Sequence, residues 1–368
     1  MVGLSNIEII QLSMKMKNSI VSIVILIFSS KCIAQTSNKY WLLALSKKDH
    51  IMAFVDPTTL KVVTKAPVGP DPHEIIASTD GKLAYVSNAG GGSMSEMNVI
   101  DLVGQKALSN IDTKPFLGLH GLVFVGGKAW FTAEGSRAVA RIDQATNKID
   151  WMMGTGEDRT HMLYVTPDEK RIYTTNVNAG TVSILTDTLA TMGPPPGMPP
   201  QGNPSAGNPP QGMPQMGSRR TWTHTVVKVA KGAEGFDVTP DGKYLWTAAA
   251  QDGTIWAIDL VSKKVTSTMD AKVMGANRLK FTPDGKLALV SSLRTGDLFI
   301  FDVASQKEIK RVNIGHGGAG ILVEPSGARA FVACSPDNYV VVVDLKKLEV
   351  IGKFDLGTPD GLAWAERK

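Results

Sequence analysis

The chain repeats one phrase: an apolar strand, a tight turn of the Pro-Asp-Gly-Lys type, and a second strand. The turns read Thr79-Asp80-Gly81-Lys82, Pro167-Asp168-Glu169-Lys170, Pro240-Asp241-Gly242-Lys243 and Pro283-Asp284-Gly285-Lys286, with degenerate copies at Gly126-Gly127-Lys128 and Pro325-Ser326-Gly327. A second landmark, an apolar strand ending in an acidic turn, recurs at Val55-Asp56, Ile100-Asp101, Ile142-Asp143, Ile258-Asp259, Phe301-Asp302 and Val343-Asp344, with Ile184-Leu185-Thr186 as a divergent copy. A period of roughly 42 to 46 residues with several strands per unit is the signature of a β-propeller. Six inner strands are complete, and a seventh begins at Gly361-Leu362-Ala363-Trp364 just before the chain ends. Its partners are the N-terminal runs Tyr40-Trp41-Leu42-Leu43-Ala44-Leu45 and Ile51-Met52-Ala53-Phe54-Val55, which lack an inner strand of their own. The expectation is an all-β fold: a seven-bladed propeller of four-stranded blades, closed by pairing the C-terminal strand with N-terminal strands, which removes two open sheet edges.

Residues 1–34 read as a signal peptide. Lys15 and Lys17 precede an apolar run from Ile20 to Phe28, too short to span a bilayer, and a small-residue site ends at Ala34. A start at Met14 or Met16 gives a more conventional basic region. The expectation is a periplasmic or secreted protein with no transmembrane span in its mature part, and one propeller domain over residues 35–368. Without Cys32 only Cys334 remains, so no internal disulfide forms and the core carries stability. The net charge of +5 falls to about +3 once the three lysines and one glutamate of residues 1–34 are removed, and no long basic run supports nucleic-acid binding. There is no Cys-x-x-Cys-His for covalent haem c, no phosphate-binding loop for a nucleotide, and no Gly-x-Ser-x-Gly elbow.

One interruption breaks the period. From about residue 187 to 221 the chain carries a Pro/Gly/Met-rich insert, including Gly193-Pro194-Pro195-Pro196-Gly197-Met198-Pro199-Pro200. Such a composition reads as a disordered or polyproline-II loop, on the face of the acidic turns. It suits a spacer or a partner-binding loop, and Met192, Met198, Met213 and Met216 offer thioethers to soft Cu(I).

Tyr85-Val86-Ser87-Asn88, Tyr173-Thr174-Thr175-Asn176, the run Thr181 to Ile184 and the Pro-Asp-Gly turns together resemble the YVTN-type propeller repeat over nearly all of residues 40–365. The resemblance implies the fold. It implies no single function, because such propellers include surface-layer and adhesion proteins, lactonase-like enzymes and carriers of redox metals.

The inner strands of a propeller line a central channel, and the residue seven before the Asp of each turn falls at its mouth. Around the ring this position reads His73, His120, His161, Glu234, Asn277, Ala319 and Asp360, with a one-residue deletion in the shortened turn after His120, and with Asp360 placed by matching Asp360-Gly361-Leu362-Ala363 to His120-Gly121-Leu122-Val123. Three histidines and a glutamate on consecutive blades could converge on one zinc or copper ion. The alternative role is local: an imidazole has a donor and an acceptor and can seal neighbouring loops. Arg159 and Arg278 flank ring positions and suit a carboxylate or phosphate, and His316 is expected on the same face. Cys334 reads as a buried small hydrophobe, with a copper thiolate as the lesser alternative.

The leading functional reading is an exported propeller that binds a small ligand or a transition metal at the channel mouth, with no assigned catalysis. A second is a metal-dependent lactonase-like hydrolase, because Glu234, Asn277 and Asp360 match in type the metal ligands of sugar-lactonase-like propellers, where a cation polarises the lactone carbonyl. A third is a protein-interaction or surface scaffold working through its loops and the insert.

Overall fold

A computed structural model describes residues 39–191 and 218–368 of the 368-residue chain. The proposed leader lies outside the described residues, as does most of the insert. Among the described residues no helix is long and apolar enough to cross a membrane.

Seven antiparallel sheets form the seven blades. The inner strands of blades 2 to 7 are Pro72–Ala77, Leu119–Val125, Thr160–Val165, Ala233–Val238, Ala276–Phe281 and Gly318–Val323. Blade 1 closes the ring: its inner strand is the C-terminal Pro359–Glu366, paired with Tyr40–Ser46 in the register Trp41 to Ala365 and Leu43 to Ala363. The expected fold and closure are therefore both present. Apolar side chains form seven clusters, one at each blade-to-blade seam. The cluster between blades 7 and 1 joins Leu42, Ala53 and Val55 to Phe331, Val340 and Val342, so the closing seam is packed like the others.

The hairpin of blade 4 runs further than the sequence reading allowed. Thr181–Thr191 pairs with Ser218–Lys228 from Thr181 opposite Lys228 to Thr191 opposite Ser218, so residues 187–191 and 218–221 are strand rather than insert. The threonines and Trp222 of these segments suit a pleated strand, and Arg220 Nη2 bonds Asp187 Oδ2 at 2.6 Å across the pair.

Two repeated devices set the mouth. The chain enters each inner strand through a residue in the left-handed region. It is glycine on four blades, Gly118 (φ 66°) among them, but Asp71 (φ 52°), Arg159 (φ 58°) and Thr358 (φ 43°) on the other three. A non-glycine residue there carries strain, most of all a β-branched one. The second device explains the Ser and Thr in the Tyr-Val-Ser-Asn phrase. Ser87, Thr132, Thr175 and Ser291 each donate a hydroxyl to the carbonyl of the mouth residue on the next blade, respectively His120, His161, Glu234 and Ala319. The same hydroxyls of Ser87, Thr132 and Ser291 accept a bulge N–H from their own inner strand, at Glu74, Gly121 and Arg278. Each hydroxyl thus ties two blades at the level of the channel mouth.

Candidate metal centre at the channel mouth

Each of the seven expected mouth positions is the second residue of its inner strand, and all seven line one cavity of about 370 Å³. Lys47, Arg159, Arg278 and Thr358 complete much of its wall. The cavity has a floor. Glu74 on blade 2 and Arg278 on blade 6 stand on opposite sides of the channel and pair directly across it through Glu74 Oε1 and Arg278 Nη2. Arg278 is only 5% exposed. Burial disfavours its charge, but Glu74, Asp360 and Glu234 outweigh that and hold its pKa above the ordinary arginine value. The mouth is therefore a cup rather than the entrance to an open tunnel.

The three histidines form a row, with ring centroids 4.9 Å apart from His73 to His120 and 3.8 Å from His120 to His161. Gly121 permits this proximity: a Cβ there would sit 2.6 Å from the His161 carbonyl oxygen and 2.9 Å from Met162 Cα. The histidines nonetheless differ in their partners. His120 and His161 are 3% and 2% exposed, and His120 Nδ1 and His161 Nε2 are buried with no hydrogen-bond partner among the described residues. Burial, then the neighbouring His161 and His73 and the arginines, holds the His120 pKa well below its usual value, so the ring is neutral with a lone pair available. His161 Nδ1 hydrogen-bonds Glu134 Oε1, which also takes Arg159 Nε at 3.2 Å. Burial pushes the Glu134 carboxyl up, but these two partners outweigh it and keep it below the usual range. Donor atoms of His120, Glu134 and His161 lie within 4.8 Å of one another, a grouping that suits a metal ion.

His73 is engaged otherwise. Its Nε2 lies 2.8 Å from Lys47 Nζ and 3.0 Å from Asp71 Oδ1, and its Nδ1 lies 3.5 Å from Asp360 Oδ2. Burial lowers its pKa, with Asp360 and Lys47 pulling in opposite directions. Glu234, expected beside the histidines, gives Oε2 to Asn277 Nδ2 at 2.6 Å and Oε1 to Arg159 Nη1 at 3.5 Å. Arg278 Nη1 bonds Asn277 Oδ1 at 3.2 Å. A polar chain thus runs Glu134, Arg159, Glu234, Asn277, Arg278, Glu74 around the cup. Taken at formal charge, the five carboxylates of this region (Asp71, Glu74, Glu134, Glu234, Asp360) outnumber the three cations (Lys47, Arg159, Arg278) by two, which favours a divalent cation.

His316 is 88% exposed at its side chain, is not among the cavity wall residues, and pairs with Asp337 at 2.9 Å. Cys334 is fully buried between blades 6 and 7, its Sγ donates to the Ile314 carbonyl at 3.2 Å, and burial pushes its thiol pKa up to about 12. A thiol so placed is a packing residue. A larger hollow of about 670 Å³ opens at the other end of the molecule, between the turns of blades 5 and 6. Its carboxylates Asp241 and Asp284 cap their own turns by accepting from Thr239 and Thr282, each at 2.6 Å.

The sequence reading missed Glu134 and Lys47, and both obey a rule of position. Each is the first residue after the second strand of its blade, as are Leu293 and Ser335, which also line the cup.

No protein-family profile matches the chain, and no curated protein matches it either. Solved structures do. A Bacteroides uniformis protein provisionally described as a 6-phosphogluconolactonase is 14% identical, with a TM-score of 0.69 over 89% of this chain and 100% of its own. A Bacteroides fragilis protein with the same provisional description is 16% identical, with a TM-score of 0.69 over 90% and 99%. Hydrazine synthase of Kuenenia stuttgartiensis is 15% identical, with a TM-score of 0.61 over 80% and 89%. At these identities the likeness is one of fold: this is a seven-bladed β-propeller with lactonase-like structural neighbours, and its chemistry has to be argued from its own mouth.

Proposed function

We propose that this propeller is an extracytoplasmic binding protein that holds one zinc or copper ion at its channel mouth and presents it to a small ligand entering the cup. The ion sits on His120 Nδ1 and His161 Nε2, and Glu134 is a positioning residue. The observation that carries this reading is the pair of buried, unpartnered imidazole nitrogens on neighbouring rings whose centroids lie 3.8 Å apart. A buried polar atom without a partner costs about 1–3 kcal/mol, and two side by side are costly unless something occupies the space between them. Neutral imidazole is a good ligand for zinc and copper, with Zn–N bonds of about 2.0–2.1 Å. Glu134, by binding Nδ1 of His161, fixes the tautomer that leaves the lone pair on Nε2, the usual outer-shell role of a carboxylate behind a metal-bound histidine. Two protein nitrogens leave further coordination positions for an added ligand.

The extracytoplasmic placement is supported by the leader-like residues 1–34. The test is metal content after reconstitution with Zn(II) or Cu(II) and removal of the excess. The expected result is one equivalent per chain, and none in the His120→Ala/His161→Ala double variant. Equal, negligible metal in both would assign the histidines to local sealing. Lactone hydrolysis that appears only with the bound ion would move the protein from binder to hydrolase.

A further inference from the structure

The cup is not polar all round. On the side of blades 6 and 7 its wall is made by Leu293, Ala319 and Ser335, with Thr358 beside them. Ala319 is the one apolar residue among the seven mouth positions, and Leu293 is 48% exposed, a large apolar side chain that the core leaves uncovered. The two hydroxyls of this wall are engaged elsewhere: Ser335 Oγ donates to the Pro359 carbonyl, and Thr358 Oγ1 donates to Asn338 Oδ1 at 3.3 Å. That side therefore offers a guest mainly apolar surface.

The other side carries a cation with free donors. Blades 4 and 7 are three steps apart in a ring of seven, so Arg159, at the entry to blade 4, stands across the cup from Ala319. Of the three cations in the wall, Arg278 is buried and paired with Glu74 and Asn277, and Lys47 lies between Asp71 and Asp360. Arg159 is less committed. Its Nε donates to Glu134 Oε1 at 3.2 Å, its Nη1 lies 3.5 Å from Glu234 Oε1, and its Nη2 has no partner among the described residues. Its side chain is 38% exposed. The Glu134 oxygen that it binds also takes His161 Nδ1, which puts Arg159 on the metal side of the cup. It holds a left-handed backbone (φ 58°) at a position that is glycine on four blades, and strain of that kind is kept where a side chain is used. A guanidinium with free N–H groups suits a carboxylate.

We propose that the cup takes a small amphipathic monocarboxylate, its carboxylate on Arg159 and its apolar part against Leu293 and Ala319. For its charge balance this rests on the His120/His161 ion of the reading above. A divalent ion offsets the two negative charges by which the carboxylates of the mouth exceed its cations, so one added negative charge is accepted more readily than two.

The experiment is calorimetric titration of the zinc-treated protein with hexanoate, acetate, 1-hexanol and inorganic phosphate, with zinc content measured on the same samples. Hexanoate is expected to bind at least about tenfold more tightly than acetate, which lacks the chain, and than 1-hexanol, which lacks the charge. Phosphate is expected to bind more weakly than hexanoate. Arg159→Gln should lower hexanoate affinity at least about tenfold. Leu293→Ser, at an exposed position, should bring hexanoate close to acetate and leave acetate unchanged. Bound zinc with hexanoate no tighter than acetate or 1-hexanol overturns the proposal and leaves the metal reading standing, and phosphate as tight as hexanoate overturns the single-charge preference. Hexanoate bound through Arg159 in a protein that takes up no zinc sustains the ligand class and removes the ion. Neither zinc nor hexanoate bound removes both. Should Arg159→Gln not fold, Leu293→Ser decides: a preference for hexanoate over acetate that survives it overturns the assignment of the apolar wall, and its loss supports it.

Discussion

Two corners of the same cup, built from the same two positions of the repeat, have opposite chemistry. At blade 1 the residue after the second strand is Lys47, which lies between Asp71 and Asp360 and against the His73 ring. At blade 3 the equivalent residue is Glu134, and two nearby imidazole nitrogens, His120 Nδ1 and His161 Nε2 of blades 3 and 4, are not satisfied. A propeller repeats its backbone, so a mouth position has the same geometry on every blade and its role is decided by side chain alone. The difference teaches that a histidine in the ring is no guide to metal binding until its neighbours are known. His73 looks like His120 in the sequence, but only His120 is left with a buried free lone pair.

The largest expected effect separates the corners directly. His161→Ala removes a ligand and should lower zinc affinity at least about 100-fold. Zinc at a hundred times the wild-type Kd should stabilise the wild type by about 2.7 kcal/mol and His161→Ala by no more than about 0.4 kcal/mol. His73→Ala should keep both the affinity and the thermal protection, as a thermal melt with and without zinc will read. Next comes Glu134→Gln, which keeps the shape but weakens the hold on His161 Nδ1. It should cost about 10–100-fold in zinc affinity, the usual effect of losing an outer-shell carboxylate. An affinity equal to the wild type would mean that Glu134 only pairs with Arg159.

Two glycine substitutions sharpen the contrast. Gly121→Ala forces a methyl to within 2.6 Å of the His161 carbonyl oxygen, and Gly361→Ala to within 2.5 Å of the His73 carbonyl oxygen. Each should destabilise the fold by about 1–3 kcal/mol by overpacking. Gly121→Ala alone should also weaken zinc binding, and a calorimetric titration that finds both equally impaired would erase the distinction between the corners. The smallest effect concerns strain. Thr358→Gly relieves a left-handed threonine and should stabilise the protein by no more than about 1 kcal/mol, offset in part by chain entropy. A clear destabilisation would show that its side chain holds the Lys47 corner together.

Much of this was legible in the sequence, for identifiable reasons. The Pro-Asp-Gly turn is local and chemically distinctive, so it marks most blades and, by a fixed offset, most mouth residues, while Asp360 follows from the match of Asp360-Gly361-Leu362-Ala363 to His120-Gly121-Leu122-Val123. Closure was legible because Trp364 ended a strand with no partner nearby. The side-chain bookkeeping was not legible. Glu234 was expected beside the histidines, but Asn277 and Arg159 lie closer to its carboxylate oxygens. Glu134 and Lys47 gave no signal because the same position holds Ala89, Val177 and Ala250 on other blades, and no residue type recurs there. His316 follows a glycine in the sixth inter-blade loop, and its partner Asp337 lies in a different loop, too far along the chain to be read.

The central claim is that the ion takes its nitrogens from His120 and His161 and from no third histidine. X-ray absorption at the zinc edge of the loaded protein counts imidazole ligands through their characteristic multiple scattering. The account predicts two imidazoles per zinc, with the remaining positions filled by oxygen. Three imidazoles would put His73 on the ion and contradict the division of the mouth into a metal corner and a lysine corner.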